Sequence, residues 1–240
     1  MSAPFEVIPS AHRLIQSLRD LGYDFVQAVA DIVDNSINAK ARNVSIDVVF
    51  DGDDSWVRIA DNGRGMTPDE LREAMRYGSK GKYDAEDLGK FGLGLKTASM
   101  SQCEHLIVAS RWNRDRADIT AYAWDLDHIK NTDRWEILPV ERTDLPHGIA
   151  SHLRDGPGTV VFWQRLDRIL GFKHPYGEFA RKRLFQMCRD LERHLGMVFH
   201  RFLAGESPGR RLSISVNGNL VRPWDPFCRE EAKTTPLQAK

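Results

Sequence analysis

Cysteine is scarce in this chain of 240 residues: there are three, at positions 103, 188 and 228. So sparse and odd a set argues against a disulfide framework and against a zinc cluster. Long apolar runs are missing as well. None approaches the ~18 residues that a membrane-spanning helix needs. The N-terminus also lacks the apolar stretch of a secretory signal. A cytoplasmic protein, with no membrane partner, is the expectation. Charge of one sign is missing too. Lysine plus arginine and aspartate plus glutamate each number 34, so the formal net charge is zero. Net charge thus gives no support for non-specific nucleic-acid binding, although a local basic face stays available for it. No internal repeat or low-complexity tract stands out. What is present is the composition of a globular domain, 41% apolar and 28% charged.

Periodicity predicts a helix over 24–40, where Phe25, Ala28, Val29, Ile32, Val33 and Ile37 recur at three- and four-residue spacing. Val44, Ile46 and Val48 alternate with polar residues as a strand. The turn Asp51-Gly52-Asp53-Asp54 leads to a second strand at 56–60, and the pair reads as a hairpin. Thr67-Pro68-Asp69-Glu70 is a helix start with a Thr cap, Pro at the first position and acids in the first turn, and the helix is expected to end near Tyr77-Gly78. Residues 78–90 read as a mobile loop. A short helix is expected from Leu93 to Met100. Strand-like runs follow at 105–109, 119–124, 135–140 and 159–163. Residues 176–203 read as one long helical stretch carrying Arg181-Lys182-Arg183, and 205–209 as a linker. A strand at 212–216 and an Asn217-Gly218 hairpin turn follow. Hairpins outnumber βαβ units, which implies a helix-backed mixed or largely antiparallel α/β sheet.

The stretch Gly89-Lys90-Phe91-Gly92-Leu93-Gly94-Leu95-Lys96-Thr97 concentrates three glycines, two lysines and a threonine. Glycines let a backbone approach a phosphate closely. The run is near the pattern G-x-x-x-x-G-K-[ST], with one residue too many before the lysine. A P-loop follows a buried parallel strand, and the preceding Lys82-Tyr83-Asp84-Ala85-Glu86-Asp87 cannot be one. A dinucleotide loop fails on the same missing strand and on Thr97, which stands where a third glycine belongs. A flexible loop without a ligand is the plain alternative.

Two neighbours add chemistry. Asp61-Asn62-Gly63-Arg64-Gly65-Met66 follows a strand directly. A carboxylate there is a pure acceptor for an amino group, glycines admit a flat base, and methionine packs on it. Alone, the segment reads as an ordinary turn. On helix 24–40, Asp31, Asn35 and Asn38 share one face opposite the apolar one. A carboxylate one turn from a carboxamide can hold a water and, through the amide oxygen, a magnesium ion. Alone, this reads as a solvated face.

Taken together and in order, Asp31-Ile32-Val33-Asp34-Asn35-Ser36, Asp61–Met66 and Gly89–Ser99 resemble the N, G1 and G2 boxes of the GHKL ATPase superfamily, which groups gyrase B, the heat-shock chaperone ATPase, histidine kinases and MutL. The phrasing of Gly89–Ser99 and of Tyr77-Gly78-Ser79-Lys80 is most similar to MORC-like and related prokaryotic members. Gly158-Thr159-Val160-Val161 resembles the later strand whose threonine faces the nucleotide. The resemblance covers about residues 10–165 and implies the Bergerat fold, an α/β sandwich binding ATP between helices and a lid.

It implies roles residue by residue. Asn35 holds Mg2+, Asp61 accepts from adenine, and Gly63, Gly65 and Met66 frame the base, with Asn38 and Thr159 beside the nucleotide. Gly92, Leu93, Gly94, Leu95, Lys96 and Thr97 wrap the phosphates, and Ser79 and Lys80 lie in the lid. Asp31 is the general base where many members carry the longer glutamate, and Asn38 stands where an acid is common. The implied activity is slow, Mg-dependent ATP hydrolysis with lid closure and ATP-gated homodimerisation, with DNA as a further partner suggested by the MORC and MutL likeness. The alternatives are a non-hydrolysing assembly switch and a histidine-kinase-type phosphotransferase. The expected domains are 1–170 for ATP binding, 171–205 as a helical connector and 206–240 as the beginning of a truncated transducer-like unit.

Overall fold

The computed structural model describes residues 5, 7–20, 23–78, 94–113, 118–146, 148–171, 174–206 and 211–229. Among them an eight-stranded sheet runs in the order β5-β4-β3-β6-β2-β1-β7-β8. The hairpin expected near the start is present: β1 (Asn43–Val49) pairs antiparallel with β2 (Trp56–Asp61), with Val44 opposite Asp61 and Val49 opposite Trp56. The two strands meet β3 (His105–Arg111) and β4 (Thr120–Asp125) through β6 (Gly158–Gln164), which lies between β2 and β3 and is antiparallel to both. The last described strands, β7 (Ser213–Val216) and β8 (Asn219–Leu220), extend the same sheet. β7 runs parallel to β1, and the turn between β7 and β8 is Asn217-Gly218, both at positive φ.

One face of the sheet is covered by helices. Helix α2 (Phe25–Asn38) starts at Asp24, whose side chain accepts from the Gln27 N–H at 2.7 Å. It buries Phe25, Ala28, Val29, Ile32, Val33 and Ile37 against the sheet, the apolar face that its sequence repeat requires. Helix α3 (Pro68–Met75) carries a full capping box between Thr67 and Glu70. Helix α4 (Gly94–Met100) packs on α2. Helix α7 (Glu178–Val198) also packs on α2.

Several boundaries differ from the sequence reading. Helix α3 ends at Met75, because Arg76 is already extended (ψ 126°). The run 135–140 forms only a two-residue edge strand, β5 (Leu138–Pro139). Its proline sits where an edge strand tolerates a missing donor. Trp135 instead packs against Tyr77 and Trp124, with ring centroids 5.5 and 6.2 Å away. The long helix breaks at Phe199, and α8 (His200–Leu203) follows as one separate turn.

Three helices went unread: α1 (Ala11–Arg19), α5 (Leu126–Thr132) and α6 (Ile149–His152). The first is polar overall and is held by tertiary contacts. Arg19 is buried and donates to the Met100 carbonyl at 2.6 Å and to Asp167 at 2.6 Å. Such a helix gains little from its own sequence and most of its stability from what it touches.

Candidate functional site

The candidate residues come from four separate segments, and the sheet brings most of them together. Strand β2 ends at Asp61. Opposite it on β6 stands Thr159, and opposite Thr159 on β3 stands Ser110. The three side chains form one polar row across three adjacent strands on the helix-covered face. All are buried: Asp61 is 7% exposed, Thr159 9% and Ser110 1%. Above this row lies a cavity of about 400 Å³, lined by Asn35, Asn38, Asp61, Gly65, Met66, Gly94, Leu95, Lys96 and Thr159 among others. Thus the α2 face, the turn after β2, the start of α4 and the β6 threonine meet in one concavity.

Asp61 is held by its surroundings. The Gly63 N–H donates to Oδ1 at 2.7 Å and the Ser36 hydroxyl to Oδ2 at 3.1 Å. Burial pushes the carboxyl above its ordinary value, while the donors from Gly63, Ser36 and the Thr159 backbone pull the other way. The loop after β2 is pinned from both sides. The Asn62 amide oxygen accepts from the Arg42 and Asn43 N–H groups at 2.9 and 2.8 Å, and the Met66 N–H donates to Ser110 Oγ at 2.8 Å. Gly65 is required by the chain's own packing: its φ is +67°, and a Cβ there would lie 2.0 Å from the Arg111 carbonyl oxygen.

Of the α2 residues that line the cavity, Asn35 and Asn38 are exposed, and Asn38 also donates weakly to Asp34 at 3.4 Å. Asp31 lies deeper. Its Oδ2 is 3.7 Å from where a Cβ on Gly94 would stand, so its carboxylate abuts the start of α4. Tyr23 interacts with it as well. The Tyr23 phenol is raised above its ordinary range, chiefly by burial and then by its hydrogen bond to Asp31 and by that residue's charge.

Lys96 takes a direction that its motif does not specify. Its side chain is buried, and its ammonium donates to the carbonyls of Ala74 and Arg76 at 2.9 and 2.8 Å, at the end of α3. Burial pushes this ammonium down to about 8, with the charge of Glu73 opposing. Thr97 points away from the cavity into the protein, and its hydroxyl has no partner among the described residues. Gly63 lies behind Asp61, on a second concavity with His152 and Ser213. Ser79, Lys80, Gly92 and Leu93 lie outside the described residues.

Three contributors were missed by the sequence reading: Ser36, Tyr23 and Ser110. For Ser110 a signal existed. Leu106, Val108 and Ser110 alternate on one face of β3, and a hydroxyl in a buried apolar series calls for a partner. Among the described residues there is no cluster of three or more His, Cys, Asp or Glu able to hold a metal ion, and no helix is long and apolar enough to cross a membrane. An ion held mainly by a neutral carboxamide, by ligand oxygens and by water is compatible with the first observation.

Comparison with known proteins gives the same grouping. Residues 23–154, more than half of the chain, match the family model for histidine kinase-, DNA gyrase B-, and HSP90-like ATPases. Protein MICRORCHIDIA 4 of Arabidopsis thaliana is 33% identical over 154 residues, 57% of this chain and 19% of that protein. The chaperone protein HtpG of Shouchella clausii is 26% identical over 163 residues, covering 62% and 25%. The DNA mismatch repair protein MutL of Aquifex aeolicus is 24% identical over 135 residues, covering 54% and 29%. The matches thus span 19% to 29% of these relatives' lengths. With the three boxes in order, the mostly antiparallel sheet and the matched model all agreeing, this chain belongs to the histidine kinase-, DNA gyrase B- and HSP90-like ATPase family.

Proposed function

We propose that the cavity above Asp61 binds ATP with Mg2+ and hydrolyses it slowly. The observation that carries this reading is the convergence of Asn35, Asp61, Met66, Gly94 to Lys96 and Thr159 on one cavity, although they are spread over 125 positions of sequence from 35 to 159. The adenine amino group donates to Asp61, Met66 packs on the ring, and the triphosphate runs along Gly94, Leu95 and Lys96. The residues present fit the ion. Asn35 offers a hard, neutral oxygen at the cavity wall, and Mg2+ commonly keeps most of its shell as water and phosphate oxygens. When bound, Mg2+ supplies charge neutralisation at the phosphates.

Asp31 takes the proton of the attacking water, whose oxygen forms the new bond to the γ-phosphorus as the bond to the β-γ bridging oxygen breaks. The products are ADP and phosphate. Base catalysis needs a reach of about 2.6–3.2 Å, and Asp31 is one CH₂ shorter than glutamate. That shortness favours a low turnover, and it also motivates a second reading, an ATP-driven assembly switch without hydrolysis.

Asn35→Ala is expected to abolish Mg-ATP binding, measured by calorimetry. Asp31→Asn is expected to keep ATP affinity and lower phosphate release by about 100-fold or more. Unchanged binding in the first variant removes the site assignment, and unchanged turnover in the second removes Asp31 as the base. Absence of phosphate release from the wild-type protein selects the switch. ATP-dependent homodimerisation belongs to the same proposal and is read by sedimentation with a non-hydrolysable analogue. The name of the MutL relative and the exposed Arg181-Lys182-Arg183 on α7 motivate DNA as a partner, tested by a salt-dependent titration.

A further inference from the structure

Helix α7 packs on α2 with one face and turns the other to solvent. Ala180, Leu184, Cys188, Leu191 and Leu195 are buried, the apolar stripe of an ordinary surface helix. The solvent face is not ordinary. Phe179 is 73% exposed and Phe185 67%, and Tyr176, just before the helix, is 64% exposed. Single exposed apolar residues are common on a protein surface, whereas three aromatic rings so close together form a patch.

Exposed cations surround these rings. Lys182, Arg189 and Arg193 fall on one stripe of the helix, and Arg183 stands beside it. Phe179 is three and four positions from Lys182 and Arg183, and Phe185 is three and four from Lys182 and Arg189. Each ring therefore neighbours two cations. The nearby acids hold the cations loosely. Glu178 approaches Arg181 and Lys182 only at 3.8 Å, and Asp190 approaches Arg193 at 3.9 Å. Exposed pairs of that kind are weak. A groove of about 520 Å³ repeats the combination, with Val48, Phe50 and Phe185 lining it together with Arg181, Lys182 and Glu178.

We infer that the solvent face of α7 is a docking surface for an anionic lipid bilayer. The cations meet the headgroups, while Phe179, Phe185 and Tyr176 enter the boundary of the acyl layer. Attachment to a surface needs no spanning helix, so the lack of one among the described residues does not bear on it. A DNA duplex would satisfy the same cations with its phosphates. It would leave the phenylalanine rings in water, and for that reason the bilayer is the better fit. The surface is also set apart from the ATP cavity. Val48 of the groove stands four residues beyond Val44, the β1 partner of Asp61, about 13 Å along the strand. Bilayer attachment leaves that cavity open and is independent of hydrolysis in it.

The experiment sediments the chain, without nucleotide, with vesicles of phosphatidylcholine alone and of phosphatidylcholine mixed with phosphatidylserine. Wild-type protein is compared with the double variant Phe179→Ser, Phe185→Ser and the triple variant Arg181→Gln, Lys182→Gln, Arg183→Gln. All five side chains are exposed, so both variants are expected to fold. Wild-type protein is expected to sediment with the mixed vesicles and to bind them less in high salt. The triple variant is expected to bind about 100-fold more weakly, at about fivefold per cation. The double variant is expected to lose about 10-fold or more, and Phe179→Leu with Phe185→Leu to recover most of that loss. No sedimentation with the mixed vesicles overturns the inference. Full binding by the serine double variant does so too, because it reduces the contact to charge attraction. Binding of a single-stranded or duplex oligonucleotide instead of vesicles, lost in the same variants, assigns the face to nucleic acid and overturns it as well.

Discussion

Two rows of side chains on the same face of the same three strands make opposite use of burial. Ile59, Val161 and Val108 stand opposite one another on β2, β6 and β3, and all are at most 4% exposed. One pleat further along stand Asp61, Thr159 and Ser110, also buried. The first row stabilises the domain by removing apolar surface from water, at about 25 cal/mol per Å². The second gains nothing of that kind. It is tolerated because nearly every polar atom in it has a partner, and what it provides is a polar floor to the cavity. The site therefore sits at a strand end, where the apolar layer stops and the β2–α3 turn can supply N–H donors.

The contrast is sharpest under mutation. Ile59→Ala in the apolar row is expected to lower stability by about 2–5 kcal/mol and to leave the ATP affinity of the folded fraction unchanged, as read by chemical denaturation and calorimetry. Loss of affinity in the folded protein would mean that the two rows are not separable. Asp61→Asn in the polar row is expected to behave the other way. Nucleotide affinity falls by about 100-fold, the scale of a hydrogen bond to a charged group, with stability little altered.

The pH dependence has opposite signs for the two properties at Asp61. Its folded carboxyl titrates above 3.8, so the folded chain holds the proton more readily than the unfolded chain. Its ionisation therefore costs stability as pH rises through that window. As pH falls through the same window, the protonated carboxyl no longer accepts from the base, and ATP binding weakens. A binding titration with pH, compared with Asp61→Asn, checks the sign.

Smaller again is the effect expected at Lys96, which borders both regions. Lys96→Met leaves the carbonyls of Ala74 and Arg76 without their donor, at a cost of about 1–3 kcal/mol. The buried ammonium titrates near 8 in the folded chain, below its ordinary 10.5. The folded chain thus holds fewer protons than the unfolded one between about 8 and 10.5. Stability from this group rises with pH across that interval. In Lys96→Met that rise is expected to flatten, as read by urea denaturation at a series of pH values.

Much of the fold was legible in local patterns. The β1–β2 hairpin followed from alternation and a turn, α2 from its apolar repeat, and the start of α3 from Thr67-Pro68-Asp69-Glu70. What misled was also local. Residues 135–140 alternate like a strand, yet Trp135 leaves the pattern to join Tyr77 and Trp124. The helix at 176–203 has continuous periodicity, and only the geometry at Phe199 divides it. Helix α1 buries only Ala11, Ile15 and Arg19, too few apolar positions to make a repeat, and arginine is a residue whose type points outward until Met100 and Asp167 come to meet it.

By itself the sequence determined the box order, the family, the face shared by Asn35 and Asn38, and Asp61 at a strand end. These are properties of neighbours in the chain, fixed by the periods of helix and strand. Tertiary structure alone decided that Ser110 stands beside Thr159 and Thr159 beside Asp61, that Lys96 turns to α3, and that Tyr23 interacts with Asp31. The physical reason is register. Which side chains face each other across strands depends on pairings between segments far apart in the chain. A shift of one residue would have turned that polar row onto the opposite face of the sheet.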